Sequence, residues 1–222
     1  MSVYERPIVM LDFETTGLSP DMGDRITEVA ALRIVGGEIR ERYVSLVNCG
    51  VRIPSFITQL TGITQDMVDS APPSQKVVAE LLDFIGTDTL SAHNASFDEK
   101  FLKAEGWRIG RPTAHCGLVC SLKLSRRLFP GLPSYKLGNL SSRLGIAFRG
   151  TAHRAEADAE VAAEVLLHAA RHLGSTHGLQ QVAPDLLVSV NKLAAAKVPV
   201  FLDKVARLER ERGATPPNTT TS

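Results

Sequence analysis

Apolar positions fall into two rhythms along this chain. Ile8-Val9-Met10-Leu11 is an unbroken apolar run, the pattern of a short strand buried on both faces. Ile26 to Val35 repeats that pattern, interrupted by Glu28 and Arg33. Gly36-Gly37 is a two-residue hairpin signal, and Glu38 to Val47 then alternates as a half-exposed strand does. These three segments predict an antiparallel meander on a central strand. A helical period follows, with Val77, Val78, Leu81, Leu82 and Ile85 on one stripe of a helix over 75–85 capped by Ser74. Thr87 to Ala92 reads as a strand, and a helix runs from about Asp98 through Phe101 and Leu102. Helix, strand, helix in that order lays the new strand parallel to the first.

The later chain is predominantly helical in pattern. Leu118 to Phe129 reads as mostly helix, Gly131 to Ser134 as loop, and Lys136 to Leu144 as a short amphipathic helix ended by Gly145. An alanine-rich helix runs through Leu173, with Val161, Val165, Leu166 and Ala169 buried. Leu179 to Leu193 and Val200 to Leu208 read as two more helices divided by Pro199, packing back on the domain or serving as a docking arm. Pro54 to Thr64 reads as an irregular loop, unusually apolar at Phe56, Ile57, Leu60 and Ile63. It either packs on a core of its own or lines a groove for flat apolar ligands such as bases. The expected organisation is a domain over 1–174, a helical extension over 175–212 and a disordered tail over 213–222.

Composition changes this picture little: 222 residues, 44% hydrophobic and 22% charged, suit one globular domain with an extension. No apolar run reaches membrane-spanning length, and the charged start before Ile8 leaves no room for a signal peptide. Three cysteines without framework spacing fit reduced thiols in a cytoplasm. His115, Cys116 and Cys120 lack an evident fourth zinc ligand. The net charge of +1 hides an asymmetry, with 7 Lys/Arg against 14 Asp/Glu in residues 1–98 and 10 against 2 in residues 99–150. A carboxylate cluster beside an anion-binding rim is one reading; solvated surface charge is the other. Lys123, Arg126, Arg127 and Lys136 stand under the same two readings.

Candidate chemistry sits at the ends of elements. Asp12 and Glu14 close the first strand, one residue apart, so both point to one side while Phe13 points to the other. Such like charges raise each other's free energy unless a cation lies between them. Thr15, Thr16 and Gly17 form a turn there, and Gly17 lets backbone approach a ligand closely. Asp98 begins the helix after a parallel strand, and His153 precedes Asp158 by five residues at the entrance of the alanine-rich helix. Singly, each has an ordinary reading as a solvated acid, a helix-terminal charge or a surface histidine.

Jointly, Asp12-Phe-Glu-Thr-Thr-Gly17, Thr61-Gly-Ile-Thr64, His93-Asn-Ala-Ser-Phe-Asp98 and His153-Arg-Ala-Glu-Ala-Asp158 resemble the DEDDh (DnaQ-like) 3′→5′ exonucleases, over roughly residues 6–173. That family includes the proofreading subunits of bacterial replicative polymerases. The resemblance implies a ribonuclease H-like fold of the α/β class, a five-stranded mixed sheet flanked by helices, here with a helical C-terminal extension. It implies that Asp12, Glu14, Asp98 and Asp158 hold two divalent cations, Mg2+ or Mn2+, and that His153 takes a proton from the attacking water. Two ions about 4 Å apart neutralise charge on the attacking and leaving oxygens, and hard cations prefer carboxylate oxygen. Thr15 and Thr16 would meet the terminal 3′ hydroxyl through backbone, and Leu60, Thr61 and Phe97 would pack around the last nucleotides. The implied substrate is the 3′ end of DNA, for proofreading or repair. An RNA trimmer of the same fold, or a binding subunit that docks on a DNA polymerase through the extension, are the alternatives.

Overall fold

The computed structural model describes residues 6–147, 150–179 and 182–213. The meander forms as the pattern dictates: β1 (Ile8–Thr15), β2 (Ile26–Val35) and β3 (Glu38–Leu46), antiparallel, with Gly36 and Gly37 both at positive φ in the hairpin turn. Two parallel strands, β4 (Thr89–Ala92) and β5 (Gly117–Cys120), complete a five-stranded mixed sheet in the order β3-β2-β1-β4-β5. β1 is thus central, with an antiparallel neighbour on one side and a parallel one on the other.

Helices cover both faces: α1 (Ser55–Thr61), α2 (Gln65–Asp69), α3 (Ser74–Ile85), α4 (Ser96–Arg108), α5 (Ser121–Leu128), α6 (Leu137–Arg143), α7 (Ala155–His177), α8 (Pro184–Lys192) and α9 (Val198–Gly213). The period-2 alternation of β1 divides the core. Val9, Leu11 and Phe13 pack with α3 and with Phe101 and Leu102 of α4. Ile8 and Met10 pack on the other face with a row of α7 alanines (Ala155, Ala159, Ala162, Ala163 and Ala169). Alanine keeps that helix close to the sheet, because no long side chain stands between them.

Several expectations change. Leu118 to Cys120 belongs to β5, not to a helix; its four residues pair with β4 from Thr89 to Ala92, and helix begins only at Ser121. Four apolar residues carry no period long enough to distinguish strand from helix. Pro54 to Thr64 is largely helical as α1, and with α2 it closes a small core of Cys49, Ile53, Ile57, Ile63 and Val68. Ser74 is the first residue of α3 while Pro73 is its cap, and the Ser74 hydroxyl accepts from Arg25 Nη2 at 3.1 Å. The helix expected from Leu179 starts at Pro184, and the one expected from Val200 starts at Val198, with Pro199 in its first turn. α8 and α9 fold back onto the core through Leu187, Val190, Val198 and Leu202. The boundary expected at residue 174 falls inside α7, and the expected tail lies, from residue 214, outside the described residues.

Candidate active site

Asp12 and Glu14 continue the face of Ile8 and Met10, the face that α7 covers. β1 pairs with β4 only from Ile8 to Met10, so the acid-bearing end of β1 runs past its parallel neighbour. The sheet opens there at its carboxyl end, where open α/β sheets place ligands. Asp158, on the first turns of α7, is delivered to the same opening. One carboxylate oxygen each from Asp12, Glu14 and Asp158 lie within 4.8 Å of one another. Among the described residues this is the group of His, Cys, Asp and Glu side chains that fits a metal ion. Three carboxylates form a hard donor set, suited to a divalent cation that prefers oxygen.

Asp98 arrives from the opposite face. It lies in the first turn of α4 and is only 3% exposed, with its own N–H and that of Phe13 favouring its ionised form. It stands outside the mutually close trio but adds its charge to Asp12. His153 is exposed in the loop before α7, at a φ of 61°, and its N–H donates to Asp158 Oδ2 at 3.1 Å. The acids and the histidine thus gather at one end of the sheet.

Four acids in a confined space hold their protons tightly. Burial lifts the Asp12 carboxyl well above the usual carboxylate range, and Asp98, Asp158 and Glu14 lift it further. Glu14 is pushed up to about 8, first by burial and then by Asp158 and Glu28, with Arg154 opposing. Burial also raises Asp98 to about 8 against the two N–H donors, and it raises Asp158 against the His153 N–H. The folded chain therefore binds protons more strongly than the unfolded chain between the ordinary carboxylate range near 4 and about 8. Without divalent cations, stability is greatest at the acid end of that window and declines as pH rises through it. In EDTA the Tm is expected to fall between about pH 5 and pH 8, and millimolar Mg2+ or Mn2+ to reverse the fall. A Tm indifferent to both ions near pH 8 would contradict the cation-site assignment.

The other expected contacts divide. Leu60 is 52% exposed on α1, and Phe97 is half-buried with Lys100 Nζ 5.6 Å from its ring centre, so both present surface. Thr61 does not: it is 3% exposed, its hydroxyl donates to Ile57 O and accepts from Ile63 N–H, and it locks the end of α1. Thr15 and Thr16 are buried too, their hydroxyls donating to Gly17 O and Asp24 Oδ1 and the Thr16 N–H donating to Arg25 O. A Cβ at Gly17 would lie 2.4 Å from Asp24 Oδ1, so a larger residue there would displace the Asp24 carboxylate from the Ser19 N–H and the Thr16 hydroxyl. Arg127 is engaged with the carbonyls of Lys123, Asn191 and Leu193, closing the end of α8. Cys116 is exposed, Cys120 is buried, and His115 Nδ1 lies 3.1 Å from Gly117 O. His93 bridges Ser121 Oγ and Tyr135 O, each at 2.9 Å, which ties β4 to the 129–136 loop.

Pattern reading passed over Glu28. It pairs directly with Glu14 across the β1–β2 ladder and is 3% exposed. Its partner is Arg154, with Nη2 2.6 Å from Oε1. The signal was present in the sequence as an acid inside an apolar strand, but the partner lies 126 residues away.

Residues 9–166 match the family model described as exonuclease, and residues 152–193 also match a model for proteins of unknown function. The chain is 33% identical over 183 residues to the DNA polymerase III subunit epsilon of Aquifex aeolicus, covering 80% of this chain and 87% of that protein. It is 40% identical over 159 residues to the 3′-5′ exonuclease DinG of Bacillus subtilis, but spans only 17% of that protein's length. Among solved structures, exonuclease X in complex with 5′ overhanging duplex DNA superimposes with a TM-score of 0.65 at 24% identity, covering 83% of this chain and 99% of that one. The nuclease domain of 3′hExo, a DEDDh family member bound to rAMP, superimposes at 0.66 with 23% identity, covering 81% and 96%.

Proposed function

The chain belongs to the exonuclease family, and from that premise we propose that it removes nucleotides from the 3′ end of DNA by hydrolysing the terminal phosphodiester. The observation that carries the proposal is the convergence of Asp12, Glu14 and Asp158, with Asp98 behind them, at the open end of β1. In this reading Asp12, Glu14, Asp98 and Asp158 would hold two divalent cations of the Mg2+ or Mn2+ class. Bound there, the cations supply charge neutralisation for the attacking and leaving oxygens. The chain's own groups do the rest. His153, exposed and with its N–H bonded to Asp158 Oδ2, accepts the proton of the attacking water. Leu60 and Phe97 offer apolar and aromatic faces to the last bases, a contact that reads little sequence. Thr15, Thr16 and Thr61 contribute by shaping the turn and the α1 end from within.

DNA is favoured because the subunit epsilon relative, matched over 80% of this chain, is part of a DNA polymerase. RNA is the second reading, supported by the likeness to a nuclease domain bound to rAMP. Work in the cytoplasm, in company with a polymerase, fits the three free cysteines and the same relative. No described helix is long and apolar enough to cross a membrane. The exposed Val200 of α9 lies on the extension that such a partner would meet.

The test is digestion of end-labelled DNA and RNA oligonucleotides, single-stranded, paired and mismatched, with Mg2+, Mn2+ or EDTA. Stepwise shortening from the 3′ end, faster on DNA and absent in EDTA, is expected. Cleavage that proceeds equally in EDTA would remove the metal assignment. Faster shortening of RNA would replace the substrate.

A further inference from the structure

Glu28 is an odd residue for its position. Ala30, the next β2 residue on its own face, is apolar, and Glu28 faces Glu14 directly across the ladder, where another carboxylate raises the cost of the acid cluster. An aliphatic side chain would fit the strand pattern better. What Glu28 does instead is receive three donors in four contacts. Arg154 Nε approaches its two oxygens at 3.2 and 3.1 Å, Arg154 Nη2 lies at 2.6 Å, and the Ala155 N–H donates at 2.9 Å. Ala155 is the first residue of α7, and its N–H is one of those a helix start leaves without an internal partner. Arg154, the cap residue, caps nothing with its own side chain. The capping group is thus supplied from another element, by a buried carboxylate on β2.

We infer that Glu28 and Arg154 are positioning residues that hold the start of α7 so that His153 stands over the acid cluster, an inference that rests on the nuclease reading for its catalytic consequence. His153 is flanked by two fixed points. On one side the residues after it are clamped by Glu28, and on the other its own N–H is held by Asp158 Oδ2 at 3.1 Å. Its φ of 61° is a conformation that a non-glycine residue keeps when its surroundings impose it. Thr151, Ala152 and His153 are all exposed, so burial does not place them. The pairing is planar and bidentate, a geometry that Lys cannot reproduce. Arg154 also sets its positive charge against Glu14, so one side chain both fixes the loop and moderates the cluster.

The test compares Arg154→Lys and Glu28→Gln with the unaltered chain in three measurements. These are kcat and KM on an end-labelled single-stranded DNA, Mn2+ binding by calorimetry, and hydrogen exchange of backbone amides. Both variants are expected to lower kcat by about 10–100-fold, as for groups that orient a reacting group, while KM and Mn2+ affinity change by less than about threefold. Amides of residues 151–156 should exchange faster while those of β1 and β4 keep their protection. A kcat within about twofold of the parent in both variants would overturn the inference. So would a loss of kcat matched by equal loss of Mn2+ binding and by faster exchange throughout β1, which is the mark of a merely structural pair. If the unaltered chain cuts no oligonucleotide, the nuclease reading fails by itself. Exchange at 151–156 then still decides whether the pair holds that segment.

Discussion

Asp12→Asn is expected to abolish hydrolysis while raising the Tm of the metal-free protein. The two effects have one cause. Asp12 lies in the trio of mutually close carboxylates and also opposes Asp98, so its ionised form is strongly disfavoured by burial and by its neighbours. Asn keeps the shape and deletes the charge, so Glu14, Asp98 and Asp158 are relieved of a repelling neighbour. The relief should appear as a Tm higher by several degrees in EDTA near pH 8, since ~1 kcal/mol shifts a chain of this size by about 2–4 °C. The same deletion removes the oxygen charge that a pair of divalent cations needs. Charge stabilisation of that kind is worth several kcal/mol, so kcat should fall by at least about 10³-fold. Single-turnover digestion of an end-labelled oligonucleotide and calorimetry in EDTA measure the two effects. Activity within about tenfold of the parent would remove Asp12 from the reacting centre. A lower Tm would show that it is held by structural bonds instead.

His153→Asn should lower kcat by about 10²–10⁴-fold, the range of a missing general base, and leave Mn2+ affinity within a few-fold of the parent. Asn is chosen because His153 holds a φ of 61°, and Asn tolerates the left-handed region where Ala would add strain. The backbone N–H that donates to Asp158 is retained, so a change in rate reports the imidazole itself. The acidic limb of the pH–rate profile should also move. An unchanged profile with unchanged kcat would place the base elsewhere.

The three-stranded meander was legible because each strand is eight to ten residues of consistent pattern, and Gly36-Gly37 marks a tight turn between the second and third. β5 was not, because Gly117–Cys120 runs straight into α5 and only its pairing with β4 distinguishes it from helix. α1 was hidden between Pro54 and Gly62, two residues that punctuate loops but here sit at its two ends. Within the site, alternation put Asp12 and Glu14 on one side of a strand, but their role, like that of Asp98, His153 and Asp158, came only from the resemblance of the four motifs taken together. Thr61 was expected to face a nucleotide and is instead buried, because Ile57 and Ile63 draw it into a small core.

Sequence alone determined that two acids would share one side of a central strand, since strand periodicity is a property of the backbone and needs no partner. It also determined that an alanine-rich helix would form with Asp158 near its start. Tertiary structure decided that this helix covers the acid-bearing face, that Asp98 joins the cluster from the opposite face, and that Glu28 caps α7 by accepting the Ala155 N–H. Those outcomes depend on which faces pack together and on where β4 stops alongside β1. Packing couples residues more than a hundred positions apart, and a local pattern of polar and apolar residues carries no record of such pairs.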